Sequence, residues 1–280
     1  MSGIIIVGVS GSEHAHPAIA WAVDHATTHA TRLEFVHVVD VGRVFAGTSL
    51  ASEAVVAAEE RITEIAERVI SQHPELTATG VVVVGGSERA LVEHARDVGA
   101  SLIVVGSHAD RGALAEVYSR RAARIAASAD CTVVVVPSPV DPRGRIGVVV
   151  GVDGSEVSAQ AVRFAAEEAS ILGEALTAVY AAELPWPWGV EPQPARFPRS
   201  VDDEVVLAEA LAGIAEDHPD LEVRRSLPGA HPVEALALAA AGARLLVVGS
   251  HGRPAAGRLW FGSVGSDLLL RMPSPIAVVR

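Results

Sequence analysis

The sequence predicts an α/β protein built as two tandem doubly wound domains, each a five-stranded parallel sheet in the order 3-2-1-4-5 flanked by helices. Three observations lead there. The chain superposes on itself at an offset of 143 residues. Within each half, short runs of β-branched residues alternate with helical stretches. Each half has about 140 residues, the size of one such domain.

The offset holds over three separated segments. Gly8-Val9-Ser10-Gly11-Ser12-Glu13 falls on Gly151-Val152-Asp153-Gly154-Ser155-Glu156. Leu102 to His108 falls on Leu245 to His251, and Val133 to Val136 on Ile276 to Val279. Register kept across such distances means duplication. The linker is Ser138 to Arg145, rich in Pro, Gly and charge, which bounds domains at 1–140 and 144–280.

In the first half the continuous apolar runs are Ile4 to Val9, Val81 to Val84, Leu102 to Val105 and Thr132 to Val136. Continuous rather than alternating runs mark strands covered on both faces. Helical stretches lie between them at Pro17 to Ala30, Ala51 to Gln72, Arg89 to Asp97 and Leu114 to Ala127. The second half repeats this with strands at Ile146 to Val152, Leu176 to Ala181, Leu221 to Ser226, Leu245 to Val248 and Ile276 to Val279.

Composition narrows the function. The net charge is -12, and no basic run appears, so nucleic acid is not the expected partner. All 22 basic residues are Arg, which excludes a phosphate-loop lysine, a Schiff-base lysine or a catalytic lysine. No apolar run reaches the roughly 18 residues of a membrane helix. The N-terminal residues show no basic stretch or cleavage site of a signal peptide, and the single Cys131 fits a reducing compartment, so a cytoplasmic protein is expected.

Doubly wound sheets bind ligands beyond the carboxyl ends of the strands, where the strand order reverses. The glycine-bearing loops follow the first and fourth strands, so both should meet at one crevice. After the fourth strand of the second half come Gly249-Ser250-His251-Gly252, nine residues, then Gly262-Ser263-Val264. A helix is expected to begin near Ser263, and its N-terminal N–H groups and dipole favour an anion. Arg253 and Arg258 add cationic donors within the nine-residue stretch. After the first strand come Gly151-Val152-Asp153-Gly154-Ser155. A carboxylate only accepts hydrogen bonds, so Asp153 suits sugar hydroxyls or a base amine rather than phosphate.

These residues resemble the universal stress proteins in their tandem form, over essentially the whole chain. The family pattern is G-2x-G-9x-G-[S/T] with an Asp in V-G-[V/I]-D-G-S, and the second half carries both. The resemblance implies a cytoplasmic ATP-binding regulatory protein of the stress response that dimerises. It places Asp153, with Gly151 and Val152, at the adenosine end. It places Gly249, Ser250, His251, Gly252, Arg253, Gly262, Ser263 and Val264 around ribose and phosphates. Gly265 stands where many members have a second Ser. Mg²⁺ is expected with the phosphates, although no dedicated carboxylate ligand is evident.

The first half departs from the pattern. Ser10 replaces Asp, Ala109 the second glycine, Ser119 the third, and Arg120 the hydroxyl residue. A methyl at a positive-φ position costs about 1 kcal/mol, and a lost charge-assisted hydrogen bond about 1.5–3 kcal/mol. Together these predict binding weaker by about two to four orders of magnitude. Only the second half is therefore expected to bind ATP well. Arg120, Arg121 and Arg124 are expected to form a solvated helix face.

The remaining candidates carry less. His25 and His29 stand at i, i+4, but no Glu follows His25 and the repeat puts Glu168 and Leu172 there, so no metal site is expected and a solvated face is read. Neither His108 nor His251 has a nearby carboxylate in sequence that would make it a general base. No G-x-S-x-G elbow exists, and Cys131 precedes a buried strand. Glu183 to Ser200, with five prolines, Trp186, Trp188 and Phe197, is either a stiff surface connection, or a lid over the adenine or a partner surface. Three rival functions stay open: a slow ATPase or adenylyl-transfer enzyme on this fold, a nucleotide-independent interaction module, and electron transfer with a flavin or pterin on a similar fold. The absence of an assigned base, lysine or metal cluster predicts at most slow hydrolysis.

Overall fold

The computed structural model describes residues 3–10, 16–40, 49–108, 113–138, 144–181, 201–251 and 262–280. The chain divides into two compact units, Met1–Asp141 and Pro142–Arg280.

In the first unit the strands are β1 (Ile4–Gly8), β2 (Arg32–Val39), β3 (Ala78–Val84), β4 (Leu102–His108) and β5 (Thr132–Ser138). Between them run α1 (His16–His29), α2 (Ser49–Gln72), α3 (Ser87–Asp97) and α4 (Ala113–Ser128). All pairings are parallel, and they give the order β3-β2-β1-β4-β5. The second unit has β6 (Val148–Val152), α5 (Glu156–Leu172), β7 (Leu176–Tyr180), α6 (Val201–Ala210), α7 (Ile214–Asp217), β8 (Val223–Ser226), α8 (Pro232–Ala239), β9 (Leu245–Gly249), α9 (Ser263–Arg271) and β10 (Ile276–Val279). Its strands run β8-β7-β6-β9-β10, again all parallel. The order reverses between β1 and β4 in one unit and between β6 and β9 in the other.

The apolar runs of the central strands are buried, whereas Val81 to Val84 on the edge strand β3 is half-buried and ends in the exposed Val84. Ile5 to Val7, Ile103 and Val104, Val133 to Val136, Val148 to Val150, Leu245 to Val247 and Ile276 to Val278 are at most 4% exposed. Helices on both faces achieve this, as parallel sheets require. The repeat extends to packing detail. Ala18, Ala22 and Ala26 on α1 are fully buried, and so are Ala161, Ala165 and Ala169 on α5, their partners at the offset of 143. A stripe of small residues at i, i+4, i+8 lets each helix lie close on its sheet.

Local sequence explains the helix ends near the candidate site. Ser155 caps α5, its Oγ accepting the Ser158 N–H. Gly173 closes α5 in the left-handed conformation at φ 64°. Pro232 stands in the first turn of α8, where its missing N–H has no partner to lose. The start of β6 is fixed by Glu174, which takes the Gly147 N–H on Oε2 and the Arg244 guanidinium on Oε1 at 2.7 Å. Among the described residues no helix is long and apolar enough to cross a membrane.

Candidate functional site

β6 and β9 are neighbours, in register Val148 with Leu245 and Val150 with Val247. Asp153 and Ser250 each lie three residues beyond that last pair, at the carboxyl ends of adjacent strands. Parallel neighbours are about 4.8 Å apart, so the loops leave the sheet side by side at the switch point.

The β6 loop is pinned to the start of α5. Asp153 donates its N–H to Ser158 Oγ at 3.2 Å, and its Oδ1 accepts the Ser155 N–H at 2.9 Å. Gly154 takes φ 78°, a conformation that favours glycine. One carboxylate oxygen is thus committed to orienting the half-buried Asp153 side chain, a role the sequence did not reveal.

The β9 loop is tied at both ends. The Ser250 N–H donates to the Val279 carbonyl at 2.8 Å, and the Ser250 carbonyl accepts the Gly262 N–H at 3.1 Å. Ser250, buried at 3% exposure, pairs its Oγ with His251 Nδ1 at 3.0 Å. This gives the otherwise exposed His251 ring a fixed local partner. Helix α9 then starts at Ser263, with Gly262 as its N-cap and no side chain capping it. Ser263 is exposed and Val264 half-buried at this uncapped end. Gly252, Arg253 and Arg258, like the Glu183 to Ser200 segment, lie outside the described residues.

The motif glycines have a different physical reason from the expected one. Gly262 has φ -57°, which any residue adopts. A Cβ on Gly249 would stand 3.0 Å from Val157 Cγ1 and 3.3 Å from the His251 carbonyl oxygen. A Cβ on Gly151 would stand 3.2 Å from Leu236 Cδ1. In the first unit Gly8 meets Val105 and Leu91 at 3.0 and 3.1 Å in the same way, although Ser10 has replaced the aspartate. These glycines admit neighbouring helices to the strand ends, a role independent of any ligand.

Among the described residues, the helix after β4 starts earlier in the repeat than the helix after β9. Helix α4 begins at Ala113, so Ser119 and Arg120, the counterparts of Gly262 and Ser263, lie in its interior. Their amides belong to the helix ladder, whereas those of the first turn of α9 do not. Arg121 and Arg124 approach the Glu88 carboxylate at 3.8 and 3.7 Å and are 49% and 64% exposed, in keeping with a solvated face. Ala109 lies outside the described residues, and exposed Ser10 follows β1. His37, on β2, points its Nδ1 at the Val9 carbonyl at 2.7 Å.

The model of the Universal stress protein family matches twice, over residues 1–137 and 147–280. A universal stress protein of Mycobacterium tuberculosis is 32% identical over 303 aligned residues, which span 99% of this chain and 96% of that protein. One of Mycolicibacterium smegmatis is 30% identical, with the same coverage. Among solved structures, a universal stress protein from Archaeoglobus fulgidus superposes with a TM-score of 0.74 at 17% identity, covering 100% of this chain and 97% of that one. A putative universal stress protein from Pseudomonas aeruginosa gives 0.64 at 15%, covering 99% and 93%. With two family domains along its length, a duplicated parallel α/β fold and whole-length relatives, this chain belongs to the universal stress protein family in its tandem form.

Proposed function

We propose that this chain is an ATP-binding regulatory protein of the stress response that holds its nucleotide in the second unit. The observation that carries the reading is the uncapped start of α9 at Gly262–Ser263, tied back to Ser250 and set on the strand next to Asp153. Helix N-termini attract phosphate through free amides and the helix dipole, each contact adding about 0.3–1 kcal/mol when exposed. Ser263 adds a hydroxyl donor, and Gly252, Arg253 and Val264 belong to the same phosphate loop. Asp153, with Gly151 and Val152 behind it, meets the adenosine end, where its acceptor character matches hydroxyl and amine donors.

Mg²⁺ would travel with the phosphates and neutralise part of their charge. No carboxylate of the α9 end is assigned to it, so the ion would be held mainly by ATP and water. The protein is cytoplasmic in this reading and works as a homodimer. The first unit keeps the fold without the phosphate-facing helix end and serves packing or signalling.

Titration calorimetry with Mg·ATP tests the proposal. One site per chain is expected, with affinity lowered at least about tenfold by Asp153→Ala, since a hydrogen bond to a charged group is worth about 1.5–3 kcal/mol. Two equal sites, or binding unaffected by Asp153→Ala, would overturn it.

A further inference from the structure

Strand β3 is an edge of the first unit, and its outer side is open. The Leu33 N–H donates to the Thr77 carbonyl, and the Gly85 N–H to the Val39 carbonyl. Between these bonds the register runs from Leu33 with Ala78 to Val39 with Val84. Successive residues of a strand point their N–H and C=O groups to opposite sides of the ladder. The odd positions from Thr77 to Gly85 therefore serve β2, and Ala78, Gly80, Val82 and Val84 present their groups outward. Among the described residues none of these four meets a hydrogen-bond partner there.

Proteins blunt such edges with charge, proline or shortness. The corresponding edge of the second unit, β8, has 4 residues, of which Arg224 and Arg225 are exposed. β3 has 7, Ala-Thr-Gly-Val-Val-Val-Val, with neither charge nor proline. The exposed large apolar side chains among the described residues of the first unit are Val56, Ile70 and Val84. All lie on β3 or on α2, the helix packed against it.

The outward set is symmetric about Val81, as a two-fold pair of identical strands requires. Antiparallel pairing centred there sets Ala78 against the partner's Val84 and Gly80 against the partner's Val82, a small side chain beside each large one. Any other register leaves at least one outward residue unpaired. A Cβ on Gly80 would stand 2.7 Å from the Ile62 carbonyl oxygen, so the axis also passes near the middle of α2. Val56 and Ile70 share one side of that helix, with Thr63 between them, and fall on either side of the axis. Glu59 and Glu67 border this line, where physiological salt screens them. At 1.5 Å per residue α2 is about 36 Å long and a sheet-and-helix layer about 15 Å thick, so the pair buries about 1,000 Å² in total, the area a specific interface needs.

We propose that two copies of this chain join edge to edge through β3, antiparallel about Val81, with α2 alongside. The pairing rests on the homodimer reading above, to which it assigns an interface, and not on nucleotide binding.

Sedimentation velocity of the whole, nucleotide-free chain tests it, and a concentration-dependent dimer is expected. Val82→Pro removes an outward N–H and spares the bonds to β2, so the fold should persist while dimerisation weakens at least about tenfold. Val84→Lys, at a residue already 53% exposed, puts a charge on the edge and should act alike. Far-ultraviolet circular dichroism checks that both fold. Cross-linking in a Cys131→Ser chain reads the register. Val81→Cys should give a disulfide-linked dimer with oxidised glutathione, since such antiparallel pairs hold Cα atoms about 4.5 Å apart. Thr79→Cys and Val83→Cys, each about 13 Å from its own copy, should not. A monomer at every concentration would overturn this interface and the homodimer together, leaving ATP binding to its own titration. A dimer that persists in either folded variant, or that fails to cross-link through Val81→Cys, would overturn the β3 pairing alone.

Discussion

The Gly262 N–H donates to the Ser250 carbonyl at 3.1 Å, so the chain leaving β9 and the chain entering α9 are joined by one backbone bond. Ser250 is in turn fixed to Val279 of β10, which anchors the closed loop to the sheet. A phosphate at the start of α9 would meet amides that are already ordered, so little entropy is lost on binding.

This gives a prediction that separates ligand contact from backbone need at Gly262. Its φ of -57° is open to alanine, so Gly262→Ala should leave unfolding stability within about 0.5 kcal/mol of wild type. If phosphate sits on the α9 amides as proposed, ATP affinity should nevertheless fall at least about tenfold, because a methyl at the N-cap would crowd that approach. Gly262→Pro keeps φ but removes the donor to Ser250, and should lower stability by about 1 kcal/mol as well. Denaturant unfolding and calorimetry on the two variants check both statements. Unchanged affinity in Gly262→Ala would argue against phosphate contact there.

Gly249 behaves differently, because its reason is packing. An alanine there brings Cβ to 3.0 Å from Val157 Cγ1, so the valine must give by a few tenths of an ångström. Gly249→Ala should destabilise the protein by about 1–3 kcal/mol, the range for overpacked sites. Val157→Ala in the same chain should recover much of that loss. A double-mutant cycle of denaturant midpoints measures the coupling, expected at about 0.5–3 kcal/mol. Strict additivity would show that the strain lies with the His251 carbonyl, 3.3 Å away, instead.

How far the sequence speaks follows from which interactions are local. The β-branched runs are legible because burial on both faces leaves no room for polar residues. β2 is not bounded by that rule: Glu34 interrupts it, and its carboxylate is met by His94 Nε2 at 2.5 Å, from 60 positions along the chain. A polar residue with a distant partner looks like a strand breaker until the fold is known. The site residues are legible as a spacing, but not the reason for each. Gly249 and Gly151 answer to Val157 and Leu236, which no motif includes. The helical stretch expected over Leu114 to Ala127 already contains Ser119 and Arg120. Its consequence, that first-unit amides at those positions are spent on the helix, follows only once α4 is set beside α9. The His25–His29 spacing is likewise visible in the sequence, whereas the stacking of Trp21 on His25 and of His25 on His29, which leaves both histidines half-buried rather than on a solvated face, is not.

The Glu174 carboxylate holds two parts of the second unit at once, the Gly147 N–H ahead of β6 and Arg244 ahead of β9. It is 13% exposed and Arg244 36%, so solvent screens the pair only partly. Glu174→Ala should lower stability by about 1–3 kcal/mol, below the range for fully buried pairs. Arg244→Ala alone should cost less, since the bond to Gly147 survives. Denaturant unfolding of the two variants gives the order; an equal loss in both would show that the Gly147 contact adds nothing.

The two helix starts set which change would restore a site in the first unit. Ser10→Asp supplies the missing carboxylate but leaves α4 beginning at Ala113, with Arg120 in its interior. That variant should still bind one ATP per chain. Replacing residues 109–120 by the sequence of 252–263, together with Ser10→Asp, brings in Gly252, Gly262 and Ser263 at the offset of 143 and removes the residues that carry the helix back. A second ATP per chain is expected there, read as the stoichiometry of a calorimetric titration. Two sites from Ser10→Asp alone would mean that α4 does not block phosphate, and one site from the full replacement would mean that the barrier lies elsewhere in the first unit.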